Sequence, residues 1–190
     1  MRKLTGLLVA LLTFCALLTG LAPATASSQA EAAISAAYNR PGVAAALGSS
    51  VSAVTCGLKD NGCYQTFQNG AINWTPNTGA KITKAGAIRS YWASQNYENG
   101  RFGYPVTDEI CGQTAGGCYQ DFQGGSILWS PTTGAQPSTP GAIRTTWAQT
   151  GYHGGPLGYP TNAETCGLKD NGCYQTFQNG AINWTPNTGA

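Results

Sequence analysis

Charged residues are scarce in this sequence of 190 residues, where Asp, Glu, Lys and Arg together make up only 9%. Glycine and tryptophan are instead plentiful, with 26 and 5 copies. A disordered chain would carry more charge and fewer aromatic residues. The composition therefore argues against a disordered chain and favours a folded, β-rich protein of the cell exterior.

Groups that catalyse reactions are also scarce. His153 is the only histidine, and its setting is typical of an exposed turn. Glycosidases use two carboxylates, but none of the candidate acids recurs in every repeated part of the chain, and we interpret them as surface charges: Asp108, Glu109, Asp121 and Glu164. A single histidine and the lack of a Cys-x2-Cys pair argue against a metal site. We expect no enzyme activity, no cofactor and no bound metal.

The first residues have the pattern of a secretory signal peptide. Arg2 and Lys3 precede an almost entirely apolar stretch over 4–21, and Ala24-Thr25-Ala26 forms a small-x-small cleavage site. We predict a signal peptide over 1–26 and export. A membrane anchor is the alternative, but the cleavage site and the absence of basic residues after the apolar stretch argue against it.

Removal of this leader changes the charge balance. The ten Lys and Arg lose Arg2 and Lys3, which leaves eight against eight Asp and Glu. A near-neutral chain has no electrostatic footprint for nucleic acid or an anionic membrane surface. No second apolar run is long enough to span a membrane, so we expect neither nucleic acid nor membrane as a partner.

An internal repeat of 55 residues dominates the remaining sequence. Thr55–Ala80 is identical to Thr165–Ala190. The residues that return at this spacing are Cys56, Cys111 and Cys166; Cys63, Cys118 and Cys173; Phe67, Phe122 and Phe177; and Trp74, Trp129 and Trp184. We predict three units, over 27–80, 81–135 and 136–190.

Each unit is predicted to begin with a short helix. In the third unit Thr139-Pro140 is expected to cap a helix over 142–149, with Gly151 as its left-handed stop. In the first unit, 28–31 fits a capping box. An Ile and an aromatic residue four positions later share one face of each helix, so this face must pack on the rest of the unit.

A β-hairpin is predicted to follow in each unit. Asn69-Gly70 between two alternating runs is a strong hairpin signal. A two-residue turn there places Phe67 opposite Ile72 on the core face, and Tyr64 on the other face. We therefore predict an α+β repeat protein, mostly β, of three helix–turn–β-hairpin units. Because one unit buries too little surface alone, we expect a propeller-like or toroidal array.

The cysteines are predicted to form one disulfide in each unit. Six cysteines after the leader allow fifteen pairings, but their exact repetition favours the local pairs Cys56–Cys63, Cys111–Cys118 and Cys166–Cys173.

The order of these motifs resembles the LGFP repeat family. The signature is a helix with Ile-x3-Trp, then Gly154-Gly155-Pro156-Leu157-Gly158-Tyr159-Pro160, then the Phe/Ile/Trp hairpin. The first unit is degenerate, with Leu47-Gly48-Ser49-Ser50. The resemblance implies a secreted actinobacterial cell-wall protein that holds to envelope polysaccharide, such as arabinogalactan or peptidoglycan. The cysteine pair departs from the usual repeat.

Two sets of repeated residues are candidates for ligand binding. Tyr64, Tyr119 and Tyr174 face away from the core, and an exposed aromatic ring can stack on a sugar. Arg89 and Arg144 recur on the helices and could pair with an anionic wall group. The tyrosines could instead pack between units, and the arginines could lie on a solvated helix face. A secreted protein-interaction or effector scaffold therefore stays open beside a polysaccharide-binding protein.

Overall fold

The computed structural model describes residues 25–190. The predicted signal peptide, apart from Thr25 and Ala26, lies outside the described residues. Within 25–190, no helix combines the length and the apolar character needed to cross a membrane.

Three repeated units follow one another, each with a helix and a small antiparallel sheet. The helices are α1 (Ala26–Tyr38), α2 (Val43–Leu47), α3 (Ala87–Ser94) and α4 (Ala142–Gln149). The strands are β1 (Thr55–Leu58), β2 (Gly62–Phe67), β3 (Gly70–Thr75), β4 (Gly79–Lys84), β5 (Ile110–Cys111), β6 (Cys118–Phe122), β7 (Gly125–Ser130), β8 (Gly134–Ser138), β9 (Thr165–Cys166), β10 (Cys173–Phe177) and β11 (Gly180–Trp184). The sheet orders are β1-β2-β3-β4, β5-β6-β7-β8 and β9-β10-β11.

Each helix packs on the sheet that follows it in the chain, α1 on β2 to β4, α3 on β7 and β8, and α4 on β11. The predicted apolar faces are buried, and Trp92 and Trp147 are only 1% exposed. The indole N–H of Trp92 donates to the carbonyl oxygen of Gly103 at 3.0 Å. In the first unit, the hydroxyl of Tyr38 donates in the same way to Gly48, at 3.0 Å. The degenerate unit thus keeps the bond that joins helix and turn.

The starts of two helices differ from the prediction. Gly141, rather than Thr139, is the N-cap of α4, and the hydroxyl of Thr139 donates to Glu164 Oε2 at 3.2 Å. The first helix begins at Ala26 with Thr25 as its N-cap. The predicted capping box therefore lies inside the helix.

The register of the hairpin also differs from the prediction, which was wrong by two residues. Phe67 pairs with Gly70, and Gln65 with Ile72, so the turn is Gln68–Asn69. The reason is tertiary, since the Asn69 amide donates to the carbonyl oxygen of Leu47 at 2.8 Å. A shift of two residues keeps the same faces together, and Phe67 and Ile72 are buried as predicted.

The sheets have more strands than the predicted hairpins. The additional strand β4 pairs with β3 along its whole length and crosses the unit boundary predicted at residue 80. The additional strand β8 crosses the boundary predicted at residue 135 in the same way. The last strand of one sheet therefore leads directly into the helix of the next unit.

The three predicted disulfides are present, one beside each hairpin: Cys56–Cys63, Cys111–Cys118 and Cys166–Cys173. No closed barrel or propeller is seen over residues 25–190. The chain is a row of three packed units, and the toroidal arrangement is not confirmed.

Candidate functional site

A buried tyrosine joins each unit to the one before it. The hydroxyl of Tyr104 donates to the carbonyl oxygen of Lys59 at 2.8 Å, and that of Tyr159 to the carbonyl oxygen of Thr114 at 2.9 Å. Both side chains are 1% exposed. Burial raises the pKa of both phenols, and for Tyr104 the nearby Glu98 carboxylate adds to the effect. The hydroxyls therefore stay protonated and able to donate.

A buried glutamine makes the second repeated contact between units. The side-chain amide of Gln120 donates to the carbonyl oxygen of Ile82 on β4 at 2.8 Å. That of Gln175 donates to the carbonyl oxygen of Pro137 on β8 at 2.9 Å. The fourth strand of one sheet is thus the surface on which the next unit is placed.

These contacts leave an equivalent cleft at each of the two junctions. The first junction cleft, of about 380 Å³, is lined by Leu58, Tyr64, Thr66, Asn73, Arg89, Tyr97 and Glu98. The second junction cleft, of about 230 Å³, is lined by Gln113, Tyr119, Asp121, Ser126, Leu128, Arg144, Trp147, Tyr152 and His153. All seven residues that line the first cleft have their counterpart 55 positions later among the residues that line the second. The cleft is therefore a repeated feature of the fold.

Four of the five predicted ligand-binding residues line these clefts. Tyr64 and Tyr119 lie on the outer faces of β2 and β6, and Arg89 and Arg144 lie in the first turns of α3 and α4. Because the helix of the next unit lies over this outer face, Tyr64 comes together with Arg89, and Tyr119 with Arg144.

The fifth predicted residue, Tyr174, lies on β10 at the equivalent position of the third unit. It is half-buried, and in the part of the chain that the structure describes no further helix covers it. The role of all five residues in binding stays a prediction.

Two further aromatic residues of the clefts are not among those predicted from the sequence. Tyr97 and Tyr152 follow α3 and α4 in the left-handed region, with φ of 48° and 54°, which is uncommon for a bulky residue. Each ring packs edge-on against a helix tryptophan, with 5.1 Å between the centroids. They stay 38% and 39% exposed. Their spacing of 55 residues was the available signal.

The arginine has different partners in the two clefts. In the second cleft, Arg144 Nη1 donates to the carbonyl oxygen of Ser138 at 2.7 Å, and Nη2 lies 3.9 Å from Asp121 Oδ1. In the first cleft, the guanidinium carbon Cζ of Arg89 lies 5.9 Å from the centroid of the Tyr97 ring. Arg89 Nε is buried and has no hydrogen-bond partner among the described residues.

The two clefts also differ where the first has Glu98 and the second has His153. His153 is half-buried rather than an exposed turn residue, because its ring stacks on Tyr159 with 4.9 Å between the centroids. Its Nε2 lies 3.2 Å from Gln113 Oε1, and burial lowers its pKa. Glu98 is 8% exposed and accepts from Asn99 at 3.1 Å.

Of the acids considered as catalytic candidates, Asp108 and Glu109 line one pocket, and Asp121 lines the second junction cleft. Asp108 forms an ion pair with Arg40 at 2.9 Å, and Glu164 accepts from Thr139. Burial raises the pKa of Glu109, although the charge of Lys84 acts in the opposite direction. Glu109 and Glu164 each lie near two cysteine sulfurs, but those sulfurs form disulfides and supply no thiolate for a metal.

Comparison with protein families identifies the repeat. The LGFP repeat model matches residues 47–100, 102–155 and 157–190. Each of the first two matches runs from one sheet into the next helix, so it contains all residues of one junction cleft. The third match includes Tyr174 without a following helix. No curated protein matches the chain.

Proposed function

We propose that this chain, which belongs to the LGFP repeat family, is a secreted, non-catalytic protein that binds polysaccharide of the bacterial cell wall. The proposed ligand is an envelope polysaccharide such as arabinogalactan or peptidoglycan. The proposed sites are the two junction clefts, each of which combines two tyrosines and an arginine.

The recurrence of this constellation at both junctions carries the proposal. A tyrosine ring offers an apolar face to the C–H side of a sugar and a hydroxyl to its polar edge. Tyr64 and Tyr97 supply such rings in the first cleft, and Tyr119 and Tyr152 in the second. The arginines and the neighbouring Asn73 and Gln113 add hydrogen-bonding groups for sugar hydroxyls.

Repetition suits a polymeric ligand. Two clefts on one chain can engage two stretches of the same polysaccharide, and the second contact then forms at a high effective concentration. Weak single sites are therefore sufficient for retention on the wall. The ion pairs of Asp108 and Asp121 and the disulfide-bonded cysteines support a binding role without hydrolysis or group transfer.

A secreted protein-interaction or effector scaffold is the second candidate function. It is favoured by the edge of β11, which pairs with no further strand among residues 25–190 and where Ala181 and Asn183 are exposed. The equivalent edges of β3 and β7 pair with β4 and β8. An open strand edge can accept a strand from another protein.

Sedimentation with insoluble wall polysaccharide tests the proposal. Replacement of Tyr64, Tyr119 and Tyr174 together by Ala should lower the bound fraction more than any single change, while thermal unfolding monitors the fold. Binding should be only mildly sensitive to salt, because the chain after the leader is near neutral. A folded triple variant that sediments like wild type, or wild-type binding that vanishes at moderate salt, would contradict glycan binding. Capture of wall proteins after removal of the polysaccharide would support the scaffold instead.

A further inference from the structure

The two junction clefts share one scaffold but differ in charge next to the arginine. In the second cleft, the carboxylate of Asp121 lies 3.9 Å from Arg144 and also accepts from the hydroxyl of Ser126. The residue at the position of Asp121 in the first unit is Thr66. At this position the first cleft therefore has a neutral hydroxyl in place of the carboxylate.

Arg89 is left with unused hydrogen-bonding capacity. No ion pair of Arg89 with an acid is found among residues 25–190, and its Nε is buried without a partner. A buried donor that lacks an acceptor is unfavourable. A carboxylate or phosphate fits a guanidinium well, because the planar donors can bind two anionic oxygens side by side.

Glu98 also lines the first cleft. Its carboxylate accepts from the side-chain amide of Asn99 at 3.1 Å and forms no ion pair with Arg89 in the described part of the chain. Arg89 is therefore the group of this cleft on which an anion is best placed, and the uncharged Thr66 lines the same cleft.

We infer that the first junction cleft binds an acidic glycan, with its carboxylate or phosphate on Arg89, whereas the second junction cleft binds uncharged sugar. Asp121 occupies in the second cleft the place that the acidic group of the ligand takes in the first. The inference rests on the proposed function and adds the class of sugar that each cleft selects.

Calorimetric titration of the full chain with matched ligands tests this selectivity. The probes are trigalacturonate, its fully methyl-esterified and therefore uncharged form, and a glycosyl phosphate. Wild type should bind at least one charged probe about 10-fold more tightly than the ester, a typical effect of one charge-assisted pair. The trigalacturonate and phosphate arms distinguish a uronic acid from a phosphorylated sugar.

The repeat supplies matched protein variants. Arg89→Gln and Thr66→Asp should each remove the preference for the charged probe, because they weaken binding of that probe more than binding of the ester. Thr66→Asp places a carboxylate where the second unit already accommodates one. Arg144→Gln is the control at the equivalent position and should leave the preference intact, and Asp121→Thr should create a second site for the charged probe.

The possible results separate this inference from the proposed function. Equal binding of acid and ester by wild type would overturn the inference and leave glycan binding standing. Loss of the preference in Arg144→Gln but not in Arg89→Gln would also overturn it. Failure of every probe and of wall polysaccharide to bind would overturn both.

Discussion

Two stretches of identical sequence, Thr55–Ala80 and Thr165–Ala190, have the same local structure but different surroundings. Both form the local disulfide and the same hairpin register, in which Cys63 pairs with Trp74 and Cys173 with Trp184. Yet Trp74 is only 5% exposed, whereas Trp184 is half-buried. Trp74 packs in one core with Ile34 of α1 and Ile82 of β4, and the third sheet has no counterpart of β4 among the described residues.

The comparison separates two levels of structure. Hairpin, turn and disulfide depend on the sequence of the repeat itself, because they form in both settings. Burial of the hairpin tryptophan depends on the elements that surround the stretch, and a complete cleft depends on the neighbouring unit. Substitutions at equivalent positions of the two stretches therefore measure what the surroundings contribute.

The largest difference is expected for the hairpin tryptophan. Trp74→Ala should lower the free energy of unfolding by about 3–5 kcal/mol, as for a buried aromatic ring. Trp184→Ala should cost clearly less, because its ring is already partly in water. Urea unfolding with the disulfides intact measures both. Equal losses would show that packing against α1 and β4 adds nothing to the stability that this ring contributes.

A smaller difference is expected for the glycine that precedes the hairpin. A methyl group on Gly62 meets the phenol of Tyr104, whereas one on Gly172 meets nothing closer than the carbonyl oxygen of Lys169, at 3.1 Å. Gly62→Ala should therefore lower the free energy of unfolding by about 1–3 kcal/mol through overpacking. Gly172→Ala should lower it by much less.

Tyr104→Phe is the control for the Gly62 substitution. The tyrosine hydroxyl is among the atoms that the new methyl group meets. Its removal in the double variant should therefore restore part of the free energy of unfolding that Gly62→Ala loses. If the losses in the free energy of unfolding of the two single variants simply add in the double variant, the cost of Gly62→Ala does not arise from contact with Tyr104.

A still smaller effect on the free energy of unfolding is expected from the hydrogen bond that Tyr104 donates across the junction. Tyr104→Phe alone removes the donor to the Lys59 carbonyl oxygen and should cost about 1 kcal/mol. Ser49 occupies the position of Tyr104 in the first unit, and no earlier unit is described that it could contact. Ser49→Ala should therefore change the free energy of unfolding very little. Comparable losses at both positions, measured by urea unfolding, would contradict a role in docking.

The smallest expected effect is a pH dependence confined to the second junction. Burial lowers the pKa of His153 below its unfolded value, so its contribution to stability is present above that value and is lost as the pH falls through the folded pKa. Melting temperatures between pH 7.5 and 5 should therefore decrease less steeply in His153→Gln than in wild type. As this is the only histidine, identical slopes would show that its burial has no energetic consequence.

Much of the repeat could be predicted from the sequence. The period, the disulfides, the helix over 142–149 and the core face of the hairpin follow from local spacing and alternation. The register could not be predicted in this way, because the turn is held by the distant carbonyl oxygen of Leu47. The strand β4 was missed because it lies across the boundary placed at residue 80.

The candidate site could be predicted only in part. Tyr64 and Arg89 were chosen separately, since a boundary at residue 80 assigns them to different units although they line one cleft. Tyr97 and Tyr152 were overlooked because the first unit has Gly42 at that position, so the tyrosine repeats only twice.

The most direct test of the account is an amide chemical-shift titration of the full chain with a soluble fragment of wall polysaccharide. The ligand should shift the amides around Tyr64 and Tyr119, which line complete junction clefts, and leave those around Tyr174 unchanged. The identical sequences around Tyr64 and Tyr174 make this an internal control. Equal shifts at all three tyrosines, or shifts at none, would contradict the claim that the junction between units forms the binding site.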